Sequence, residues 1–407
     1  MINEKKDCGK KYKKHVFCIG SKGIPAQYGG FETFMENLTL HKKSEEIAYH
    51  VAHISDNNEV FDYNGARCFN VKVPDIGAGK AVIYDVKALL RSIRYCEKRK
   101  YIEDPVFFIM ACRIGPFMKY LKRRIERLGG TVVLNPDGHD WARAKWSRPV
   151  KAYWKISEKL MVKHADMIVC DSREIEKYIV EKYKKYKPAT CFVPYGTDTG
   201  KSILKDDDRR YISWLDSTGT RTGEYYLAVA RLVEENNFDI IIREFIESAS
   251  AKKLIIISTM NRKLYKKLDE RFHIKTVHNI RIIPPIYDKE LVKKIRENAF
   301  ANIHGHEVGG TNPSLLEALS YTELNLVYDV KYNREVAQDA AIYWNKDEGN
   351  LADVIGRAEA MDSFIRKDYV KKSKDRIRSK YTWDLVADEY EKIFTSGCFT
   401  STDEIDT

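Results

Sequence analysis

With 407 residues the chain is too long for one ordinary hydrophobic core, and two domains of roughly 200 residues are expected. No uninterrupted apolar run approaches the roughly 18 residues of a membrane span, and the lysine-rich residues 1–14 lack the apolar segment of a secretory signal, so a cytoplasmic protein is expected. The net charge of +11 sits in one half: residues 1–200 carry 37 Lys and Arg against 24 Asp and Glu, the remainder 33 against 35, which points to an anionic membrane surface or phosphorylated small molecules.

In chain order, residues 15–20 read as a buried strand running into a glycine loop that ends in Gly29-Gly30, with an amphipathic helix over about 31–40. The loop is neither G-x-G-x-x-G nor a P-loop, so dinucleotide and ATP readings lose support. Strands at 49–54, 68–73 and 106–110 alternate with helices at about 83–99 and 116–128. The last of these carries Lys122, Arg123 and Arg127 opposite an apolar face, a pattern suited to an anionic bilayer or a lipid phosphate as well as to plain solvation. No RNP-like or helix-turn-helix pattern accompanies these charges, and no nucleic-acid partner is expected.

A strand at 131–134 delivers Asp137 and His139 at its carboxyl end, where ligands of parallel sheets bind, so the two are candidates to orient or deprotonate a hydroxyl; an ordinary Asp-Gly turn is the alternative. Arg143 and Lys145 follow in a basic, aromatic segment, then a helix at about 150–164 and strands at 167–170 and 191–194. A charged, strandless stretch up to Gly223 reads as the linker. The second half opens with a strand at 225–229 that places Arg231 at its carboxyl end, from which a guanidinium can fork onto phosphate oxygens; a surface salt bridge is the alternative. Further strands at 254–257, 281–283 and 299–303 lead to the stretch from His306 to Leu319. There Gly309-Gly310 and Thr311-Asn312 precede Pro313 at a first helical turn, an arrangement that favours an anion such as a nucleotide diphosphate; a plain tight connection, with Glu317 an exposed helix residue, is the alternative. Strands at 324–328 and 341–343 and helices at about 362–380 and 383–394 complete an α/β chain of two doubly wound, Rossmann-like sheets facing one another. Eight scattered cysteines without a C-x-x-C pair indicate neither a zinc site nor a disulfide framework, and no metal site is expected.

Gly29-Gly30-Phe31-Glu32, Arg231-Leu232-Val233 and Glu317 after its glycine loop resemble the retaining GT-B enzymes of glycosyltransferase family 4. More closely, residues 20–32, Asn135-Pro136-Asp137-Gly138 and residues 304–317 resemble bacterial rhamnosyltransferases of cell-wall polysaccharide synthesis. The resemblance spans nearly the whole chain. It implies a GT-B fold with an interdomain cleft: an acceptor-binding domain at 1–200, joined by a C-terminal helix at about 381–396, a linker at 201–222, a nucleotide-sugar domain at 223–380 and a mobile tail at 397–407.

The implied donor is dTDP-β-L-rhamnose, bound by Gly29, Gly30, Arg231, Glu307, Gly310, Thr311, Asn312 and Glu317, with Glu317 on the ribose and Arg231 on the diphosphate. Catalysis would involve Arg231 with Asp137 and His139, without a metal or cofactor. The acceptor would be a polyprenyl-diphosphate-linked sugar, GlcNAc-diphospho-undecaprenol, at the inner face of the cell membrane, with Lys122, Arg123, Arg127, Arg143 and Lys145 facing acceptor and bilayer. Two positions depart from the family pattern. Gly309 stands where a sugar-contacting Glu is usual, with Glu307 two residues earlier, and Asn236 replaces a Lys after the Arg. Alternatives on the same fold are transfer of another hexose from a UDP- or GDP-sugar, a UDP-sugar epimerase, and a non-catalytic nucleotide-sugar-binding protein.

Overall fold

The computed structural model describes residues 12–26, 29–75, 77–138, 141 and 146–396. The chain forms two compact units, which part between Pro194 and Tyr195 and again between Thr382 and Trp383.

In the first unit, β1 (Lys14–Ile19), α1 (Gly30–Leu40), β2 (Ile47–Ser55), β3 (Val60–Tyr63), β4 (Ala66–Lys72), α2 (Lys80–Glu97), β5 (Val106–Met110) and α3 (Gly115–Glu126) follow in order. Then come β6 (Thr131–Asn135), α4 (Arg148–His164), β7 (Met167–Cys170), α5 (Arg173–Lys182) and β8 (Thr190–Phe192). The eight strands lie in the order β3-β4-β2-β1-β5-β6-β7-β8. All neighbours are parallel except β3 and β4, which form a hairpin whose outer strand, β3, is half-exposed and not among the expected strands. Strands sandwiched between helical layers read as unbroken apolar runs, and Val16 to Ile19 and Phe107 to Ile109 are fully buried.

The second unit contains α6 (Arg209–Thr218), β9 (Tyr225–Val229), α7 (Phe238–Glu247), β10 (Lys253–Ile257), α8 (Arg262–Phe272), β11 (Ile280–Ile283), α9 (Lys289–Glu297) and β12 (Ala301–His304). It continues with α10 (Pro313–Tyr321), β13 (Asn325–Tyr328), α11 (Lys331–Ala337), β14 (Ile342–Trp344), α12 (Asn350–Glu359) and α13 (Ser363–Lys380). Its strands are all parallel, ordered β11-β10-β9-β12-β13-β14. One face packs Tyr226, Ile256, Ile303 and Trp344 beneath α7 and α12, and the other packs Tyr225, Leu227 and Ile255.

Residues 201–222, expected as a linker, instead hold α6, because Tyr211 and Trp214 recur at helical spacing and bury against Tyr225 and Leu227. The final helix α14 (Trp383–Ser396) returns to the first unit. Phe394 and Tyr390 pack against Phe108 with tilted rings whose centroids lie 5.5 and 5.3 Å away, and Glu391 accepts from the backbone N–H groups of Lys43 and Ser44. The expected mobile tail, 397–407, lies outside the described residues.

Candidate functional site

In the second sheet the chain runs outward from β9 through β10 to β11, then returns to place β12 on β9's other side. The strand order therefore reverses between β9 and β12, and in open parallel sheets ligands bind at the carboxyl ends flanking such a reversal. The loop after β9 carries Arg231 and the loop after β12 carries the two glycines, so the topology brings these sequence-predicted groups to one edge. Arg231 is exposed, and its guanidinium makes no hydrogen bond or ion pair with the described residues.

Asparagines hold the two loops together. Asn236 Nδ2 donates to the Arg231 carbonyl at 2.6 Å, and its Oδ1 lies 2.8 Å from His306 Nδ1. Asn237 Nδ2 donates to the Gly305 carbonyl at 2.8 Å and to Glu307 Oε2 at 3.2 Å, and Asn333 Nδ2 donates to the His306 carbonyl at 2.8 Å. Asn236, at the position where the resemblance implies a lysine, is thus buried as a clamp between loops. The Glu307 carboxylate bonds Lys346 as well as Asn237, so it is engaged within the fold. Gly309 has φ +128°, which L side chains rarely adopt, and a glutamate there would be strained whatever its partners.

Asn312 caps α10, its side chain accepting from the Ser314 N–H at 2.9 Å, and Pro313 occupies the first helical position. Gly310 and the buried Thr311 precede this cap. Glu317 lies one turn further on. Its Oε2 accepts from Arg296 Nη2 at 2.8 Å, and that nitrogen also reaches Ser314 Oγ at 3.2 Å. The Ser314 hydroxyl donates to the Val229 carbonyl at 2.6 Å, joining α10 to the strand end that launches Arg231. Burial pushes the His304 imidazole down to about 3, assisted by His306 and Arg296 nearby, so it is a neutral wall of the site near neutrality.

In the first unit the strand order reverses between β1 and β5. Gly29 caps α1 with φ +134°, and a Cβ there would meet Glu32 Oε2 at 1.8 Å; Gly30 is the first residue of the helix. Glu32 is nearly buried and accepts from the Lys22 N–H at 2.7 Å. Arg113, beyond β5, donates from Nη1 to the Gly20 carbonyl at 2.7 Å and to Asp85 Oδ2 at 3.2 Å. Burial pushes the Asp85 carboxyl up to about 6 in spite of that guanidinium. Asp137 has φ +60°, and its N–H donates to Asn135 Oδ1 at 2.9 Å, an Asx-type turn at the end of β6. His139, Arg143 and Lys145 lie outside the described residues.

On α3 the expected basic row divides. Arg123 and Arg127 are exposed, whereas Lys122 is folded onto Asp166, bonding both carboxylate oxygens at 2.7 and 2.6 Å. The sequence reading misses Arg296, Ser314, Arg113 and Asp85. Arg296 lies within a lysine-rich helix, and no local signal marks it as buried.

A family model described as Domain of unknown function (DUF1972) matches residues 13–198. No curated protein matches the chain. Among solved structures, the α,α-trehalose 6-phosphate synthase of Burkholderia multivorans is similar with a TM-score of 0.71 at 12% identity, over 95% of this chain and 97% of its own. The sucrose-phosphate synthase of Thermosynechococcus elongatus gives 0.74 at 12% identity, over 94% and 98%. The E. coli trehalose-6-phosphate protein bound with UDP-2-fluoro glucose gives 0.69 at 11%, over 94% and 98%. The fold of the chain is that of the GT-B glycosyltransferases, two Rossmann-like α/β domains.

Proposed function

We propose that the protein is a retaining glycosyltransferase that moves L-rhamnose from dTDP-β-L-rhamnose to a lipid-diphosphate-linked sugar, GlcNAc-diphospho-undecaprenol, in cell-wall or capsular polysaccharide synthesis. The observation that carries the reading is the convergence of Arg231 and the loop leading to Glu317 on the switch point between β9 and β12. An exposed guanidinium on one side and a capped helix amino terminus on the other suit a diphosphate, and a carboxylate one turn into the helix suits a ribose hydroxyl.

In this reading the acceptor hydroxyl attacks from the side of the departing diphosphate, through an oxocarbenium-like transition state. The leaving phosphate oxygen takes the acceptor's proton, and attack on the face the diphosphate leaves from retains the configuration. Arg231 and the N–H groups of Gly310 and Thr311 stabilise the charge that develops on the diphosphate, and the remainder of the rate comes from positioning. Because Glu307 is tied to Lys346 and Asn237, the transferred sugar meets backbone N–H groups around Gly309 where other family members present a carboxylate. A deoxy sugar, with one hydroxyl fewer to satisfy, fits that loss.

The lipid acceptor is supported by the exposed surface of α3 and α4, which pack side by side. Phe117, Tyr120 and Ile156 are exposed among Lys119, Arg123, Arg127 and Lys159, a mixture suited to an anionic interface. Among the described residues no helix is long and apolar enough to cross a membrane. A screen of dTDP-, UDP- and GDP-sugars against a synthetic lipid-diphosphate-GlcNAc acceptor, read by mass spectrometry, tests the proposal. Addition of one deoxyhexose from dTDP-rhamnose is expected. Transfer of a different hexose, or epimerisation without transfer, would replace it with an alternative activity on the same fold.

A further inference from the structure

We infer that Arg296 is the positioning residue for Glu317, and that it sets how strongly the site selects a nucleotide with a free ribose 3′-hydroxyl. The inference rests on the proposed nucleotide role of Glu317. Arg296 is 1% exposed at the end of α9, and its bonds leave from a single nitrogen, Nη2, to Glu317 and Ser314. Its Nε and Nη1 are buried without a hydrogen-bond partner among the described residues. A buried guanidinium with two unmet donors costs stability that an aliphatic side chain of similar length would spare. What the arginine does supply is a fixed position for one carboxylate oxygen.

Glu317 is divided accordingly. Oε2 is held from the buried side, while Oε1 has no partner among the described residues and the side chain is 45% exposed. A free glutamate on a helix surface would have to surrender rotamer freedom on binding; here that ordering precedes the ligand. Ser314 extends the brace to the Val229 carbonyl, so the carboxylate is referenced to the same strand end that carries Arg231. Ribose and diphosphate contacts are thereby held in one frame.

The test compares dTDP and UDP with their 3′-deoxy forms by titration calorimetry, for the parent protein, Arg296→Met, Arg296→Lys and Glu317→Ala. The parent should prefer the 3′-hydroxyl by roughly tenfold, the size of a hydrogen bond to a charged acceptor. Arg296→Met should reduce that preference to about twofold or less, and Arg296→Lys, which keeps the charge on a shorter reach than the guanidinium Nη2, should reduce it in part. A merely structural role would weaken all ligands alike and leave the ratio unchanged. A folded Arg296→Met with the parental ratio would overturn the inference, and if that variant does not fold, a parental ratio in Arg296→Lys overturns it. Glu317→Ala separates the two levels: if it keeps the preference, or the parent has none, the nucleotide reading of Glu317 fails. If Glu317→Ala loses the preference and the Arg296 variants keep it, only the role of Arg296 fails.

Discussion

Arg296 and Glu317 meet at 2.8 Å between α9 and α10, with the guanidinium sealed from solvent and the carboxylate half open to it. Ser314 is the third member of this contact, accepting from Arg296 and donating to the Val229 carbonyl. Ser314→Ala would leave a partly buried carbonyl and a buried charged donor short of a partner. Urea denaturation should show a loss on the order of 1–3 kcal/mol, accompanied by weaker nucleotide binding. An unchanged midpoint would show that the hydroxyl is not part of the brace.

Arg231 makes the opposite case: its side chain is exposed, and its guanidinium bonds none of the described residues. Arg231→Ala should leave thermal stability within about 0.5 kcal/mol of the parent, as for other surface substitutions. Turnover should nonetheless fall on the order of 10²–10³-fold, the usual cost of removing one preorganised transition-state donor. Parallel melting and initial-rate measurements separate the two effects, and unchanged turnover would remove Arg231 from the mechanism.

Asp85 gives stability a dependence on pH. Desolvation raises its carboxyl to about 6 from an ordinary 3.8, with Arg113 opposing the shift. The folded protein thus holds this proton more tightly than the unfolded chain. The resulting contribution is fully present below about pH 4 and is lost as pH rises through 6. Asp85→Asn should remove a change on the order of 3 kcal/mol from the stability profile across this range. Chemical denaturation from pH 4 to 7 measures it, and identical slopes in both proteins would contradict the assignment.

The basic face of α3 separates into structural and surface charges. Lys122→Ala strips both oxygens of Asp166 of their cation and should cost on the order of 1–2 kcal/mol, moderated by the partial exposure of the carboxylate. Charge reversal at Arg123 and Arg127 should leave melting unchanged and abolish sedimentation with anionic liposomes. Retained liposome binding in the double reversal would move the membrane surface elsewhere.

Much of the fold was legible because strands covered on both faces have no polar alternation to hide them. Val106–Met110 and Met167–Cys170 stand out as short apolar runs with those limits. Strand β4 matches the expected strand at 68–73, but its partner β3 is a half-exposed edge without an apolar run, although Asn64-Gly65, both at positive φ, is a hairpin signal. Helix α6 was hidden by the charges of residues 205–210, while its stop and start signals, the Asp208 cap and Gly219 at φ +63°, were present. At the candidate site, glycine loops and a strand-end arginine are backbone features that survive in sequence. The burial of Arg296 is decided by how α9 meets α10, and the clamp made by Asn236 by how two loops meet, so neither could be read from local pattern.

The claim on which the rest depends is that the carboxyl edge between β9 and β12 binds a nucleoside diphosphate through Glu317. Titration calorimetry of dTDP and UDP into the parent and Glu317→Ala tests it most directly. The expected result is a loss on the order of 1–3 kcal/mol in binding free energy for the tighter nucleotide, with the variant melting like the parent. Equal affinity in the two proteins would contradict it.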